Sequence, residues 1–85
     1  MTSSTIRLLF FAVAREIVGE GEVQLPIDAG GIDVRALAAI VAERYPPLAG
    51  HMRSLRWAVN GEYAQNDDRV MPGDEVAALP PVAGG

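Results

Sequence analysis

Thr5-Ile6-Arg7-Leu8-Leu9-Phe10-Phe11-Ala12 alternates with a period of two, the spacing that sends successive side chains to opposite faces of a β-strand. Ile6, Leu8, Phe10 and Ala12 fall on one face, and Arg7, Leu9 and Phe11 on the other. The second face is apolar at its far end, so it is either covered or left as a patch. The rest of the chain decides which. Only one stretch carries a long helical period. After Asp33, the residues Val34, Leu37, Ile40, Val41 and Tyr45 share one stripe. Asp33 suits an N-cap, because its carboxylate can accept from an early helical N–H. Pro46-Pro47 stops the helix near Tyr45. One helix covers one face of a sheet and cannot cover both.

Working outward, Ala14 to Val18 makes a short helical turn stopped by Gly19. Glu22 to Ile27 alternates again, with Val23, Leu25 and Ile27 on one side. Pro26 lacks an N–H, which favours an edge strand or a strand end. Gly30-Gly31 breaks the chain before the helix. Leu48 to Ser54 reads as a connector. Leu55 to Asn60 is a strand with Leu55, Trp57 and Val59 on one face, and Asn60-Gly61 is a strong hairpin signal. Glu62 to Ala64 returns as a short strand. Met71-Pro72-Gly73-Asp74 fits a type II turn, Glu75 to Leu79 is the last strand, and Pro80-Pro81 ends it. The order gives an α+β domain of two layers, a sheet with one main helix packed across one face.

Composition narrows the function. A chain of 85 residues makes one small domain. Of its 42 hydrophobic residues, 13 are alanine. That is enough for a single two-layer core, not for the core and a deep catalytic cavity together. Cysteine is absent, which removes disulfides, thiolate metal sites and a cysteine nucleophile together. The net charge is −4, and seven arginines are spread from Arg7 to Arg69 without a single lysine. Nucleic-acid binding would call for a clustered basic face. The run Leu8 to Ala14 superficially resembles a signal peptide but sits at the lower limit of length, and its removal would delete the best strand. It is far too short to span a membrane. The expected setting is cytoplasmic.

Side-chain chemistry is sparse. His51 is the only histidine and lies in the connector, so no metal ligand set forms around it. There is no P-loop lysine and no lysine for a Schiff base. Ser3, Ser4 and Ser54 lack a base. Five of the eleven acids, Glu62, Asp67, Asp68, Asp74 and Glu75, gather near the C-terminal end. They make either a solvated hairpin face or an acidic docking surface, and turn chemistry accounts for Asp67-Asp68 and Asp74-Glu75 better than a cation does. No metal is expected. What remains is the end, Pro80-Pro81-Val82-Ala83-Gly84-Gly85. The prolines favour an extended backbone, and six extended residues reach roughly 20 Å. Such a tail can enter a narrow channel and present one functional group, its carboxylate. Glycine there leaves room for close approach to that carbon. The expected division is a domain over 1–79 and a tail over 80–85.

Three stretches carry a resemblance. Arg7 to Gly19, RLLFFAVAREIVG, is similar to the opening strand and short helix of the MoaD family, the small subunit of molybdopterin synthase. Pro72 to Leu79, PGDEVAAL, resembles that family's last turn and strand, and Pro80 to Gly85, PPVAGG, its tail. With Val59-Asn60-Gly61 between them, the similarity covers essentially the whole chain. The family has the ubiquitin-like β-grasp fold, in agreement with the two-layer reading.

The resemblance implies a sulfur carrier for molybdenum cofactor (molybdopterin) biosynthesis, not an enzyme on its own. A MoeB-like adenylyltransferase would use ATP to adenylate the Gly85 carboxylate, and a sulfur donor protein would convert it to a C-terminal thiocarboxylate. The carrier would then bind a MoaE-like large subunit as a heterotetramer and deliver sulfur to cyclic pyranopterin monophosphate, with no cofactor bound to the carrier itself. The family's apolar docking patch carries over to Phe11, Tyr63 and Leu79, and tail insertion to Pro80, Pro81, Val82, Ala83, Gly84 and Gly85. Two departures stand out. Many relatives have an aromatic pair before the prolines, where this chain has Ala78-Leu79, and Gly30-Gly31 looks like a local insertion. The alternatives are a thiamine-type or other sulfur carrier, a ubiquitin-like protein modifier, and a plain interaction domain. An acyl donor without lysine offers no side-chain amine to its own kind, although drift toward arginine explains the same absence.

Overall fold

The computed structural model describes residues 4–81. Its five-stranded mixed sheet has the order β2-β1-β7-β4-β5. β1 is Thr5–Phe10, β2 Glu22–Pro26, β4 Arg56–Val59, β5 Glu62–Ala64 and β7 Glu75–Leu79. The first strand runs parallel to the last, with Leu8 opposite Val76 and Phe10 opposite Ala78. β2 flanks β1 antiparallel, and β4 flanks β7 antiparallel. β2 is an edge strand, as Pro26 requires.

The inward face of the sheet carries Ile6, Leu8 and Phe10, with Leu25, Trp57, Val76 and Ala78 beside them. All are buried. α2 (Val34–Arg44) closes this face with Val34, Leu37 and Val41. Asp33 caps it, its Oδ1 accepting from Ala36 N–H at 2.7 Å. Phe10 and Tyr45 meet edge to face, with ring centroids 5.4 Å apart. That contact locks the end of α2 onto the central strands. The result is the β-grasp arrangement expected from the sequence, with one main helix packed across one face.

Turn chemistry fixes the register. Asn60 and Gly61 have φ of 51° and 87°, the pair of positive values a type I′ hairpin demands. The Met71 carbonyl accepts from Asp74 N–H at 3.0 Å across Pro72-Gly73, and Gly73 has φ 92°, as a type II turn needs.

Three features differ from the sequence reading. β1 stops at Phe10, and Ala12 opens α1 (Ala12–Val18) instead of extending the inward face. The Phe11 carbonyl accepts from Ala14 N–H at 3.1 Å, so the chain has already turned into the helix. A 3₁₀ helix over Pro46–His51 takes in the two prolines and the first half of the expected Leu48–Ser54 connector, and it buries Leu48 completely. Proline at a first helical turn starts a helix as well as ending one. Finally, β3 (Ile32–Asp33) and β6 (Arg69–Val70) form a separate two-stranded sheet that seats Val70 in the core. Two residues are too few to show a period.

Candidate functional site: an open sheet face at the root of the tail

The face of the sheet away from α2 is built by the alternate residues of the same strands. Across it, Tyr63 lies opposite Ala58, Ala58 opposite Ala77, and Ala77 opposite Leu9. Leu79 follows two residues after Ala77 and so points to the same side. Phe11 continues this face beyond the end of β1. Its backbone is extended, with φ −123° and ψ 156°, and its N–H donates to the Ala78 carbonyl at 3.2 Å. Phe11, Tyr63 and Leu79, the residues expected to form the docking patch, are therefore on one face. Tyr63 is 69% exposed and Phe11 43%, while Leu79 is half-buried.

Large side chains stand at the rim of this surface and two alanines lie between them, which leaves a shallow apolar trough. Large apolar side chains grouped on an open face make it a candidate interaction surface. One end of the trough is charged. Arg7 Nε lies 3.2 Å from Glu22 Oε2, and Arg7 Nη1 lies 3.2 Å from Glu75 Oε1. These half-exposed pairs add little stability, but they bound the apolar area.

The opposite end is where the chain leaves the sheet. Leu79 closes β7, and Pro80 and Pro81 follow it in exposed positions. Val82, Ala83, Gly84 and Gly85 lie outside the described residues. Among the described residues, no group of three or more His, Cys, Asp or Glu side chains is placed to hold a metal ion, and His51 is exposed. Two acids of the C-terminal group serve turns. Asp68 Oδ2 accepts from Gln65 N–H at 2.8 Å, and Asp74 Oδ2 from Met71 N–H at 2.9 Å. Asp74 Oδ1 also accepts from Asn60 Nδ2 at 3.2 Å. Among the described residues, no helix is long and apolar enough to cross a membrane.

Sequence reasoning missed Ala58 and Ala77 as the floor of the trough. Alanine carries no periodic signal, and their alignment depends on the β4–β7 register, which no local pattern reveals.

Known proteins match this arrangement along the whole chain. The model of the ThiS family matches residues 8–85. The chain is 37% identical to the molybdopterin synthase sulfur carrier subunit of Chlamydomonas reinhardtii, over 94% of this chain and 98% of that one. It is 34% identical to the subunit of the same name from Aedes aegypti, over 94% and 88%. Among solved structures, a putative molybdopterin converting factor subunit 1 from Pyrococcus furiosus superposes with a TM-score of 0.82 at 26% identity, over 94% and 100%. SAMP1 from Haloferax volcanii gives 0.81 at 25%, over 95% and 99%. A complex of subunits 1 and 2 of the Helicobacter pylori molybdopterin-converting factor shares the fold, with a TM-score of 0.67 at 22% identity over 95% and 99%. With its β-grasp sheet and a full-length match, the chain belongs to the ThiS family and, within it, to the MoaD-type sulfur carrier subunits of molybdopterin synthase.

Proposed function

We propose that the chain carries sulfur for molybdopterin synthesis on the carboxylate of Gly85, as the non-catalytic small subunit of a sulfurtransferase. The observation that carries this reading is the position of Leu79. It is both the last residue of β7 and a member of the apolar face. A partner seated on Phe11, Leu79 and Tyr63 thereby takes up the domain with its tail already at the partner's surface. Positioning of this kind replaces side-chain catalysis in the carrier, since a tethered reactant gains a high effective concentration.

The chemistry follows from the carboxylate. A free carboxylate is a poor acyl donor. An adenylating enzyme of the MoeB type transfers AMP from ATP to it and releases pyrophosphate. The terminal sulfur of a persulfide donor displaces AMP to give an acyl disulfide, and a second thiol attacks the donor's sulfur in that bond, releasing the thiocarboxylate and leaving a disulfide on the donor side. In the large subunit the sulfur passes to cyclic pyranopterin monophosphate, and two rounds supply the dithiolene. The large subunit provides the acid–base groups, and two copies of each subunit assemble in the cytoplasm.

The test is an intact mass after incubation with activating enzyme, ATP and a sulfur donor. Exchange of one oxygen for one sulfur at the C-terminus is expected, and its absence overturns the carrier reading. The likeness to SAMP1, named a modifier in a related solved structure, supports a second reading, in which the activated Gly85 forms isopeptide bonds with other proteins. Recovery of lysine conjugates in place of the thiocarboxylate would favour it. Capture of a thiazole synthase instead of a MoaE-like subunit would favour the thiamine-type carrier.

A further inference from the structure

Three of the seven arginines, far apart in the sequence, meet in space. Arg35 on α2, Arg53 in the turn before β4 and Arg56 at the start of β4 line one groove of about 800 Å³, with Gln65, Asn66 and Pro81. Asp67 is the only acid in its lining. The groove is therefore locally positive on a chain of net charge −4.

Of the other four arginines two are engaged, while Arg15 and Arg44 are exposed, lie apart from the groove and, among the described residues, have no carboxylate within ion-pair distance. Arg7 is paired with Glu22 and Glu75, and Arg69 donates to the Gly30 carbonyl at 3.0 Å. Asp68 and Asp74 accept from turn N–H groups. Among the described residues, no carboxylate lies within ion-pair distance of Arg35, Arg53 or Arg56. All three are exposed, so their guanidinium groups are available at no cost of breaking an internal pair.

The groove also has a definite place. Arg56 lies opposite Leu79 in the sheet, and Pro81 at the root of the tail forms part of the wall. The positive surface is thus continuous with the apolar trough and borders the point at which the tail departs. Pro81 thus belongs both to the groove and to the segment a tail-binding protein would take up.

We propose that the groove receives an acidic segment at the mouth of the channel into which the tail inserts. The inference rests on the carrier reading above, with the large subunit as the receiving protein. An acidic peptide segment fits better than a single phosphate. The site is open and elongated, its arginines are exposed, and a compact anion is held best by convergent buried donors. Arginine suits the task because its planar fork pairs with carboxylates in two-point contacts. Such a contact adds orientation and association rate to the apolar docking. It selects the rotation of the carrier about its trough that brings the tail to the channel.

Two measurements test this. In the first, the isotopically labelled full-length chain is titrated with hexaglutamate and its amide spectrum followed. Shifts are expected at Arg53 to Trp57 and Gln65 to Asp67, fading at high salt and lost in the Arg53→Gln/Arg56→Gln double variant. Shifts that are absent, or spread equally to Arg15 and Arg44, overturn the proposal. So does a stronger response of these amides to inorganic phosphate or an oligonucleotide. In the second, Arg53→Glu/Arg56→Glu is expected to bind the large subunit roughly tenfold more weakly or worse, with a shallower salt dependence. Unchanged binding by a variant whose spectrum shows a native fold refutes the groove. If the unaltered chain fails to bind the large subunit, the carrier reading falls instead, and the hexaglutamate titration still decides the groove.

Discussion

Arg56 stands opposite Leu79 in the antiparallel pairing of β4 with β7, so the last apolar side chain before the tail has a guanidinium for its cross-strand neighbour. Residues so placed are in side-chain contact range. The apolar face and the positive groove consequently meet at one point of the sheet, and that point is the root of the tail. An interface built there combines a buried anchor with a charged rim.

The anchor is expected to dominate affinity. Leu79→Ala and Phe11→Ala should each weaken large-subunit binding by roughly 1–2 kcal/mol or more. Both side chains are incompletely buried in the free chain, so the fold should persist. Calorimetric titration of each variant measures the effect, and unchanged binding in both removes the trough as the docking surface.

The carboxylate at Gly85 is expected to be indispensable. One residue added after Gly85 should abolish thiocarboxylate formation without altering the fold. Mass analysis and circular dichroism on the same sample separate the two effects. Full sulfur transfer by the extended chain would sink the tail mechanism.

Gly31 is expected to be intolerant of a side chain where its neighbour Gly30 is not. Gly31 has φ +86°, and a Cβ there would meet the Met71 sulfur and the Val70 carbonyl oxygen, the latter at 2.7 Å. At Gly30 a Cβ meets nothing within 4 Å. Gly31→Ala should cost about 1–3 kcal/mol, and Gly30→Ala should lie within about 0.5 kcal/mol of the unaltered chain. Urea unfolding of the two variants tests the difference, and equal midpoints would contradict it.

Leu48 should behave as a core residue despite its place in a connection. It is fully buried, so Leu48→Ala should lower stability by about 2–5 kcal/mol. Thermal or urea unfolding would show this, and a loss below about 1 kcal/mol would mean that the 3₁₀ helix packs more loosely than its burial indicates.

The sequence was legible where local chemistry and period agreed. Asn60-Gly61 announced its hairpin because two positive φ values in succession are open to few residue pairs. Asp33 announced the helix start, and the stripe from Val34 to Tyr45 showed which side faces the sheet. Leu48 was silent because a lone leucine beside two prolines has no period. Ile32–Asp33 and Arg69–Val70 were silent because each strand is two residues long, and their pairing joins segments far apart in the chain. The close approach of Gly31 to Val70 and Met71 was silent too, because it depends on the distant β6 segment. The apolar half of the site could be read from the parity of Leu9 and Phe11. Its charged half could not, since Arg35 reaches the groove from the helix while Arg53 and Arg56 come from the strand region. Their meeting is a product of the tertiary fold.

The tail grows from the middle strand of the sheet. β7 is bonded to β1 on one side and β4 on the other, so tension on Pro80 and Pro81 acts along two ladders at once. The load falls on those ladders in shear, across many hydrogen bonds together, and cannot unzip them one by one from an edge. On the proposed route, in which the tip is drawn into one protein, released, and drawn into another, the tether is thus fixed to a strand held on both sides.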